Sequence, residues 1–210
     1  MMHASTESLG GIDVSRETFA KLQAFGELVQ RWTPAINLVS KATLPDLWNR
    51  HIVDSAQIFA FCPPDARSWV DLGSGGGFPG LVVAILSHQF SPDLRVTLVE
   101  SDLRKATFLR QAAQTLGLNV DVRTQRIEDL PEMNANVVSA RALAPLSDLL
   151  SYADKLLATD GVAVFPKGAR HAEELAAARR AWDFDVDTRP SLSDGEAAIL
   201  VIRNIHRAHD

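Results

Sequence analysis

A glycine-rich segment directly after an apolar run constrains the fold of this chain more than any other feature. Residues 70–80 read V-D-L-G-S-G-G-G-F-P-G, with four glycines in the five positions from Gly73 to Gly77. Glycine has no Cβ, so its backbone can adopt positive φ and lets a ligand approach closely at the end of a strand. The segment therefore predicts a cofactor-binding turn between a strand and a helix, in preference to a tight turn that binds nothing.

An acidic residue ends the next strand-like run of the sequence. Residues 95–100 read R-V-T-L-V-E, and Glu100 lies twenty residues beyond Gly80. In open α/β sheets, a carboxylate at this place accepts hydrogen bonds from a ribose diol. The glycine-rich turn and Glu100 together predict a site for an adenosine-containing cofactor.

Two kinds of adenosine cofactor fit these residues. Gly75-x-Gly77-x-x-Gly80 also satisfies the dinucleotide fingerprint, which is weak evidence when it stands alone. Asp71 lies shortly before the first glycine, and a carboxylate there suits a cationic ligand better than a pyrophosphate. S-adenosylmethionine carries a sulfonium and an ammonium group, so we favour it over a nicotinamide dinucleotide.

The hydrophobic pattern predicts an α/β fold with a mostly parallel sheet. Helices at residues 16–32 and 45–61 are predicted to precede it. Strands are predicted at residues 68–73, 95–100, 119–124, 137–141 and 161–167, and helices at residues 81–88, 103–116, 147–157 and 171–182. Residues 183–188 and 197–204 are strand-like with no helix between them, which predicts an antiparallel C-terminal hairpin. Ligands of such sheets bind beyond the carboxyl ends of the strands, so residues 141–145 and 167–168 are site candidates.

Length and composition indicate one ordinary globular domain. The chain has 210 residues, of which 46% are hydrophobic and 22% charged. We expect a single domain over residues 1–210, with an N-terminal helical cap at 1–66 and a cofactor-binding core at 67–210. No apolar run approaches the ~18 residues of a membrane-spanning helix, and residues 1–11 lack the features of a signal peptide. We therefore expect a cytoplasmic protein with no membrane partner.

Charge and cysteine content exclude two further classes of protein. A net charge of −5 argues against non-specific coating of nucleic acid, so we expect no DNA partner. Cys62 is the only cysteine, which excludes an intramolecular disulfide and a cysteine-based zinc cluster. We expect no metal.

Four separated blocks of sequence resemble the ribosomal small-subunit RNA methyltransferase G family, also called the glucose-inhibited division protein B family. They read N-L-V-S at 37–40, R-H-I-V-D-S at 50–55, D-L-G-S-G-G-G-F-P-G at 71–80, and S-A-R-A at 139–142 followed by K-G at 167–168. The resemblance covers nearly the whole chain. It implies a Rossmann-like methyltransferase fold with N-terminal helices, and methyl transfer from S-adenosylmethionine to N-7 of a guanine in 16S ribosomal RNA.

The resemblance also implies which residues contact the cofactor. They are Gly73, Phe78, Ile127, Glu128 and Arg141, with Glu100 as the ribose acceptor and with Gly75 and Gly77 in the same glycine-rich turn. Many members of the family have an aliphatic residue in place of Phe78 and a proline in place of Gly76. For Arg141, a structural salt bridge is the alternative interpretation.

Residues that precede the sheet are candidates for contact with the RNA. Asn37, Arg50 and His51 could form a wall over the strand ends, and Lys167 is suited to a phosphate contact. A core histidine is an equally good interpretation of His51, with Asp54 as its structural partner. A merely solvated lysine is an equally good interpretation of Lys167.

The expected chemistry requires no proton-transfer residue. N-7 of guanine is a lone-pair acceptor without a proton to lose, so we name no catalytic base. Positioning alone can contribute about 7–11 kcal/mol. The N-7 edge is hidden in the deep major groove of duplex RNA, so the target should be an unpaired guanine. A small-molecule methyltransferase and a nicotinamide-dependent oxidoreductase are the alternatives, and neither requires the blocks at 37–40 and 50–55.

Overall fold

A computed structural model describes residues 6–208 of the chain, and it begins with a hairpin and a long helix. Strands β1 (Thr6–Leu9) and β2 (Ile12–Ser15) pair antiparallel, and helix α1 covers Arg16–Ile36. The Ser15 side chain accepts a hydrogen bond from the Thr18 amide at 3.2 Å, which caps the helix start. The predicted first helix is confirmed but extends four residues further, beyond Pro34.

The predicted second helix at 45–61 is replaced by a series of short helical turns. These are a 3-10 turn at Leu44–Asp46, a π-helical turn at Trp48–Val53, helix α2 at Asp54–Ala56 and a 3-10 turn at Gln57–Phe61. Side chains of this region bond to residues far away in the sequence, as described below. Such contacts override the helical spacing of the apolar residues, and π-helical turns are frequent at functional sites.

A seven-stranded sheet forms the centre of the part that the structure describes. Its elements in chain order are β3 (Ser68–Leu72), α3 (Gly80–Phe90), β4 (Arg95–Val99), α4 (Leu103–Leu116), β5 (Val120–Arg123), β6 (Ala135–Ala140), α5 (Leu146–Leu156), β7 (Leu157–Lys167), α6 (His171–Ala178), β8 (Trp182–Pro190) and β9 (Ala198–Arg207). The strand order is β5-β4-β3-β6-β7-β9-β8. Pairs among β3 to β7 are parallel, while β9 runs antiparallel to both β7 and β8. The predicted mostly parallel sheet with an antiparallel C-terminal hairpin is confirmed.

Several boundaries near the C-terminus differ from the prediction, most clearly the start of β7 and the end of α6. Strand β7 begins at Leu157 and not at residue 161. Helix α6 ends at Ala178, and Trp182 opens β8 instead of closing the helix. Trp182 is 2% exposed and lies under the guanidinium of Arg207 at 4.0 Å, so its cross-strand packing decides its conformation.

Both faces of the sheet are covered. Helices α1, α3 and α4 pack on one face through an apolar cluster that includes Trp69 and Phe108. Helices α5 and α6 pack on the opposite face through a second apolar cluster, which includes Val70 and Phe165. Trp69 and Val70 are neighbours on β3 and enter different clusters, as the two-residue period of a strand requires. Among residues 6–208, no helix has the length and apolar character needed to cross a lipid bilayer.

The chain order creates a crevice at the carboxyl ends of the central strands. From β3 the chain moves outward to β4 and β5, and it then returns to β6 on the other side of β3. Loops that leave β3 and β6 therefore diverge, and this reversal point is where α/β sheets bind ligands.

Candidate active site

The glycine-rich turn is fixed to the ends of two neighbouring strands. The Ser74 amide donates to the Val99 carbonyl at 3.0 Å, and the Ser74 hydroxyl donates to the Asp71 carbonyl at 3.0 Å. Gly73 and Gly75 have φ values of 62° and 52°, in the left-handed region that favours glycine. The turn thus has one defined shape, and its glycines are required by that shape.

Glu100 connects this turn to the end of β4. Its side chain is buried, and its Oε2 accepts a hydrogen bond from the Gly75 amide at 2.8 Å. Its Oε1 accepts one from the Asp102 amide at 2.8 Å. An ionised carboxylate offers about four acceptor sites, so two remain for a ligand. The backbone therefore holds Glu100 in a fixed orientation with acceptor capacity to spare.

A cavity of about 430 Å³ lies beside this turn, and we call it the smaller cavity. Six of the predicted cofactor residues line it: Gly73, Gly75, Glu100, Ile127, Glu128 and Arg141. The structure therefore brings together residues that the sequence spreads over nearly seventy positions.

The side of the smaller cavity next to β5 is built on a 3-10 turn, Ile127–Asp129. The hydroxyl of Tyr152 donates to Glu128 Oε1 at 2.8 Å, and the Lys155 ammonium donates to the Glu128 carbonyl at 2.9 Å. Tyr152 also lines the cavity. Helix α5 thus orients Glu128, a contact that no local sequence signal indicated.

Gly77 and Phe78, which were predicted to contact the cofactor, do not line the smaller cavity. A Cβ on Gly77 would lie 2.7 Å from Leu81 Cδ1, so this glycine is needed for packing. Phe78 is 4% exposed, and its ring lies 5.0 Å from that of Phe25 and 5.1 Å from that of His51. Both residues support the turn from the hydrophobic core.

Asp71 also lies behind the cavity and does not line it. Its carboxylate is fully buried, accepting from the Ser139 hydroxyl at 2.7 Å and from the Gly80 amide at 3.1 Å. Ser139 in turn accepts from the Trp69 indole at 2.8 Å. Burial raises the pKa of Asp71 to about 6. Asp71 therefore joins β3, β6 and the start of α3, and the expectation that it faces a cationic ligand is corrected.

Arg141 lies at the end of β6 and lines two cavities. Its Nη2 donates to His51 Nδ1 at 2.7 Å, and its Nη1 lies 3.5 Å from Asp54 Oδ2 and 3.3 Å from the Arg50 carbonyl. The guanidinium also lies over the Phe78 ring at 5.3 Å. Arg141 thus forms the structural salt bridge that was the alternative interpretation, and it does so within the wall of the site.

His51 is a neutral structural histidine in this arrangement. Because its Nδ1 accepts from Arg141, its Nε2 carries the hydrogen and donates to Thr43 Oγ1 at 2.9 Å. Burial, with the charges of Arg141 and Arg50, lowers the pKa of His51 to about 4.

The predicted pairing of His51 with Asp54 is corrected. Asp54 Oδ2 pairs with Arg141, while Asp54 Oδ1 accepts from Ser193 Oγ at 2.7 Å and from Gln57 Nε2 at 3.0 Å. The bond from Ser193 attaches the loop between β8 and β9 to the N-terminal region.

A second cavity, of about 880 Å³, lies on the other side of residues 141–144, and we call it the larger cavity. Three of the predicted RNA-contacting residues line it: Arg50, His51 and Lys167. Asn37 does not. It ends α1 with a left-handed φ of 51°, and its amide donates to the Thr33 carbonyl at 2.8 Å.

Lys167 is neither solvated nor free in the larger cavity. Its side chain is 9% exposed, and its ammonium donates to Glu174 Oε2 at 2.7 Å and to the Ala144 carbonyl at 2.8 Å. Glu174 Oε2 also accepts from the Leu146 amide at 2.9 Å. The sequence did not predict Glu174 as the partner of Lys167, because Lys167 ends strand β7 and Glu174 lies in helix α6, so no periodicity of one element relates them.

Two solved structures of methyltransferases are similar to this chain in fold. The SAH-bound Podospora anserina methyltransferase PaMTH1 superposes with a TM-score of 0.60 at 15% identity, covering 87% of both chains. A TehB-like SAM-dependent methyltransferase from Corynebacterium glutamicum gives a TM-score of 0.55 at 17% identity, covering 88% of this chain and 98% of that chain. The fold, with a glycine-rich turn and an acidic residue at the next strand end, is that of the S-adenosylmethionine-dependent methyltransferases.

Sequence comparison narrows this class to one family. The family described as rRNA small subunit methyltransferase G matches residues 18–199. The ribosomal RNA small subunit methyltransferase G of Ruegeria sp. (strain TM1040) is 50% identical over 93% of this chain and 95% of its own. That of Rhodospirillum centenum is 47% identical over 96% and 91%. The chain belongs to the rRNA small subunit methyltransferase G family, and it is an S-adenosylmethionine-dependent methyltransferase.

Proposed function

We propose that this protein transfers the methyl group of S-adenosylmethionine to N-7 of a guanine in 16S ribosomal RNA. The observation that carries the proposal is the pair of cavities that meet at residues 141–144. The smaller cavity suits a methyl donor and the larger one an acceptor base. Membership of the rRNA small subunit methyltransferase G family supports the choice of substrate.

The residues of the smaller cavity fit S-adenosylmethionine. A volume of about 430 Å³ lies within the range of small-molecule sites. Glu100 has acceptor sites for ribose hydroxyls, and Gly73 and Gly75 present backbone without side chains. We assign Ile127 and Glu128 to the adenosine end of the ligand, with Arg141 at the opposite wall. When bound, this cofactor supplies an electrophilic methyl group on a sulfonium.

The protein's part in the reaction is to position the base and to exclude water. Guanine N-7 loses no proton, so we assign no acid or base to the reaction. His51 is neutral and bonded through both ring nitrogens, which fits a supporting role. The ion pairs of Arg141 and Lys167 fix the wall between the cavities. Rigid placement of this kind is what a positioning mechanism requires.

We assign the larger cavity to the RNA, with Arg50, His51 and Lys167 in its wall. The base would be unpaired, because duplex RNA hides the N-7 edge. A net charge of −5 gives little non-specific attraction to naked RNA, so we propose the small ribosomal subunit or an assembly intermediate as substrate. We further propose a cytoplasmic protein of a single domain, with an N-terminal helical cap at 1–66 and a cofactor-binding core at 67–210.

Methyl transfer to defined substrates tests the proposal. Purified protein would be incubated with labelled S-adenosylmethionine and with small subunits or bare 16S RNA from a strain that lacks the enzyme. Nucleoside mass spectrometry should then show 7-methylguanosine in the subunits. Calorimetry should show binding of S-adenosylhomocysteine and none of NADH. Label found only in added small metabolites would replace the proposal with the small-molecule alternative.

A further inference from the structure

The wall between the two cavities contains an exposed apolar side chain, that of Leu143. Arg141, Ala142, Leu143 and Ala144 line both cavities, and Leu143 is 36% exposed. The other exposed large apolar side chains within residues 6–208 are Phe90, Leu103 and Leu192, and none of them lines either cavity. A single exposed leucine needs no explanation. Its position between the cavities is the informative fact.

The backbone before Leu143 is strained. Ala142 has a φ of 51°, in the left-handed region that residues with a side chain seldom adopt. Such strain persists only where surrounding contacts impose it, and it is concentrated at functional sites.

Contacts on both sides of Leu143 impose this conformation. Before it, Arg141 is bonded to the N-terminal helical region. After it, the Lys167 ammonium donates to the Ala144 carbonyl at 2.8 Å, and Glu174 accepts from the Leu146 amide at 2.9 Å. The two cations therefore fix both ends of the segment that presents Leu143.

Leu143 also lies directly against the glycine-rich turn. A Cβ on Gly73 would come within 2.6 Å of Leu143 Cδ1, so the leucine occupies the space above that glycine. One side chain thus contacts the turn of the smaller cavity and remains exposed toward the larger one.

We propose that Leu143 is a base-positioning residue: its side chain contacts the face of the acceptor guanine and holds the N-7 edge toward the smaller cavity. This rests on the proposed function. The flat face of a purine packs well on an apolar side chain, which also excludes water from the passage. Because no proton transfer is needed at N-7, the placement of the base controls the rate.

Three variants test this role. Leu143→Ala should lower kcat for methylation of small subunits by roughly 10- to 100-fold at saturating S-adenosylmethionine, with a much smaller change in affinity for S-adenosylhomocysteine. Leu143→Met, similar in volume, should restore most of the turnover. Leu192→Ala is the matched control, since Leu192 is 67% exposed and lies outside both cavities, and it should behave like wild type.

Wild-type turnover by Leu143→Ala would overturn the proposal, as would a loss confined to S-adenosylhomocysteine affinity. Leu143→Val, one carbon shorter than leucine, gives the same readout at smaller amplitude if the alanine variant does not fold. Failure of the wild-type protein to methylate small subunits would refute the proposed function instead. That outcome is visible in the wild-type reaction alone, so the two failures are distinguishable.

Discussion

The two cavities that meet at residues 141–144 are built in different ways. The smaller cavity lies among turns that directly follow parallel strands, and bonds from backbone amides fix the shape of these turns, as the bond from the Gly75 amide to Glu100 shows. The larger cavity depends on paired side chains from distant parts of the chain. Arg141 reaches across 87 positions to Asp54, and Lys167 is neutralised by Glu174.

This difference determines how each cavity should respond to mutation. A backbone-built site keeps its shape when most side chains change, so variants there should lose ligand affinity more than stability. A site built from partly buried ion pairs loses its wall when one partner is removed, because the remaining charge is left uncompensated. Variants of the larger cavity should therefore lose stability first.

The largest effect is expected for Asp54→Ala. Asp54 is 17% exposed and accepts from Arg141, Gln57 and Ser193. Its removal leaves the Arg141 guanidinium, 19% exposed, without its ion-pair partner. The free energy of unfolding should fall by about 3 kcal/mol in urea denaturation.

Asp121→Ala is the control for this experiment. Asp121 pairs with Arg123 at 2.9 Å but is 57% exposed, and such surface pairs contribute ~0–1 kcal/mol. Equal losses in the two variants would show that the Arg141 pair does not hold the larger cavity together.

Glu100→Gln tests the smaller cavity and should act on affinity. Glutamine has the same size but carries no charge, and its NH₂ group cannot accept, so one of the bonds from the Gly75 and Asp102 amides is also lost. We expect binding of S-adenosylhomocysteine to weaken by about 1.5–3 kcal/mol, measured by calorimetry. Glu132→Gln, at an exposed position outside the cavity, is the control. Unchanged affinity in Glu100→Gln would remove Glu100 from the cofactor site.

The stability of the protein in acid should depend on His51, which lines the larger cavity. The pKa of His51 is lowered from 6.5 to about 4, so on acidification the unfolded chain binds this proton before the folded protein does. The contribution of His51 to stability is therefore lost as the pH falls from about 6.5 to 4, and at pH 5 this loss is about 2 kcal/mol. His51→Gln should remove this loss in urea denaturation at pH 7 and pH 5, whereas the exposed His88→Gln should retain it.

Asp71 should oppose His51 over nearly the same pH range. Its pKa is raised from 3.8 to about 6, so the folded protein takes up this proton first and gains stability as the pH falls. The wild type should show a shallow net dependence, and Asp71→Asn should make the acid loss steeper. A slope identical to wild type in both His51→Gln and Asp71→Asn would contradict these assignments.

Gly75→Ala tests how the backbone conformation of the glycine-rich turn contributes to stability and cofactor affinity, and the expected effect is smaller. Gly75 and Gly117 both have positive φ, at 52° and 65°, and alanine there costs about 1 kcal/mol of stability. Gly117 ends α4 with open space around it, so Gly117→Ala should lose stability alone. Gly75→Ala should lose cofactor affinity as well. Matching affinities for the two variants would show that the turn does not touch the cofactor.

Local signals explain what the sequence predicted well. Helix α4 begins and ends as expected, since Asp102 caps its start and Gly117 its end. Glu100 lines the smaller cavity because a residue at the end of a parallel strand must lie at that edge of the sheet. Features that depend on a few neighbouring residues and on sheet topology could be predicted from sequence.

Long-range pairing explains what the sequence could not predict. The turns at 44–61 replace a regular helix where the Arg50 carbonyl and Asp54 bond to Arg141, and where Gln57 bonds to Ser191 at 3.0 Å, 134 positions away. Lys167 was a candidate for a phosphate contact or a solvated lysine, and its partner Glu174 could not be predicted because it lies across a turn. Phe78 was assigned to the cofactor by the family resemblance, and nothing local in the sequence shows that its ring faces Phe25.

The smallest expected effect concerns which cation of the larger cavity contacts RNA phosphate. Arg170 is exposed in the wall of that cavity, whereas the Lys167 ammonium is already bonded to Glu174. A phosphate contact releases counterions, so its loss reduces the slope of log affinity against log salt by about one. Arg170→Ala should flatten the salt dependence of KM for small subunits by that amount. Lys167→Ala should leave the slope unchanged and lower kcat, since it releases the Ala144 carbonyl. Arg180→Ala is the control for lost charge. Arg180 is exposed, lies just after the end of helix α6 and lines neither cavity. A flattened slope in Lys167→Ala with a normal slope in Arg170→Ala would assign the phosphate to Lys167, and it would show that an ion pair in the wall can open for RNA.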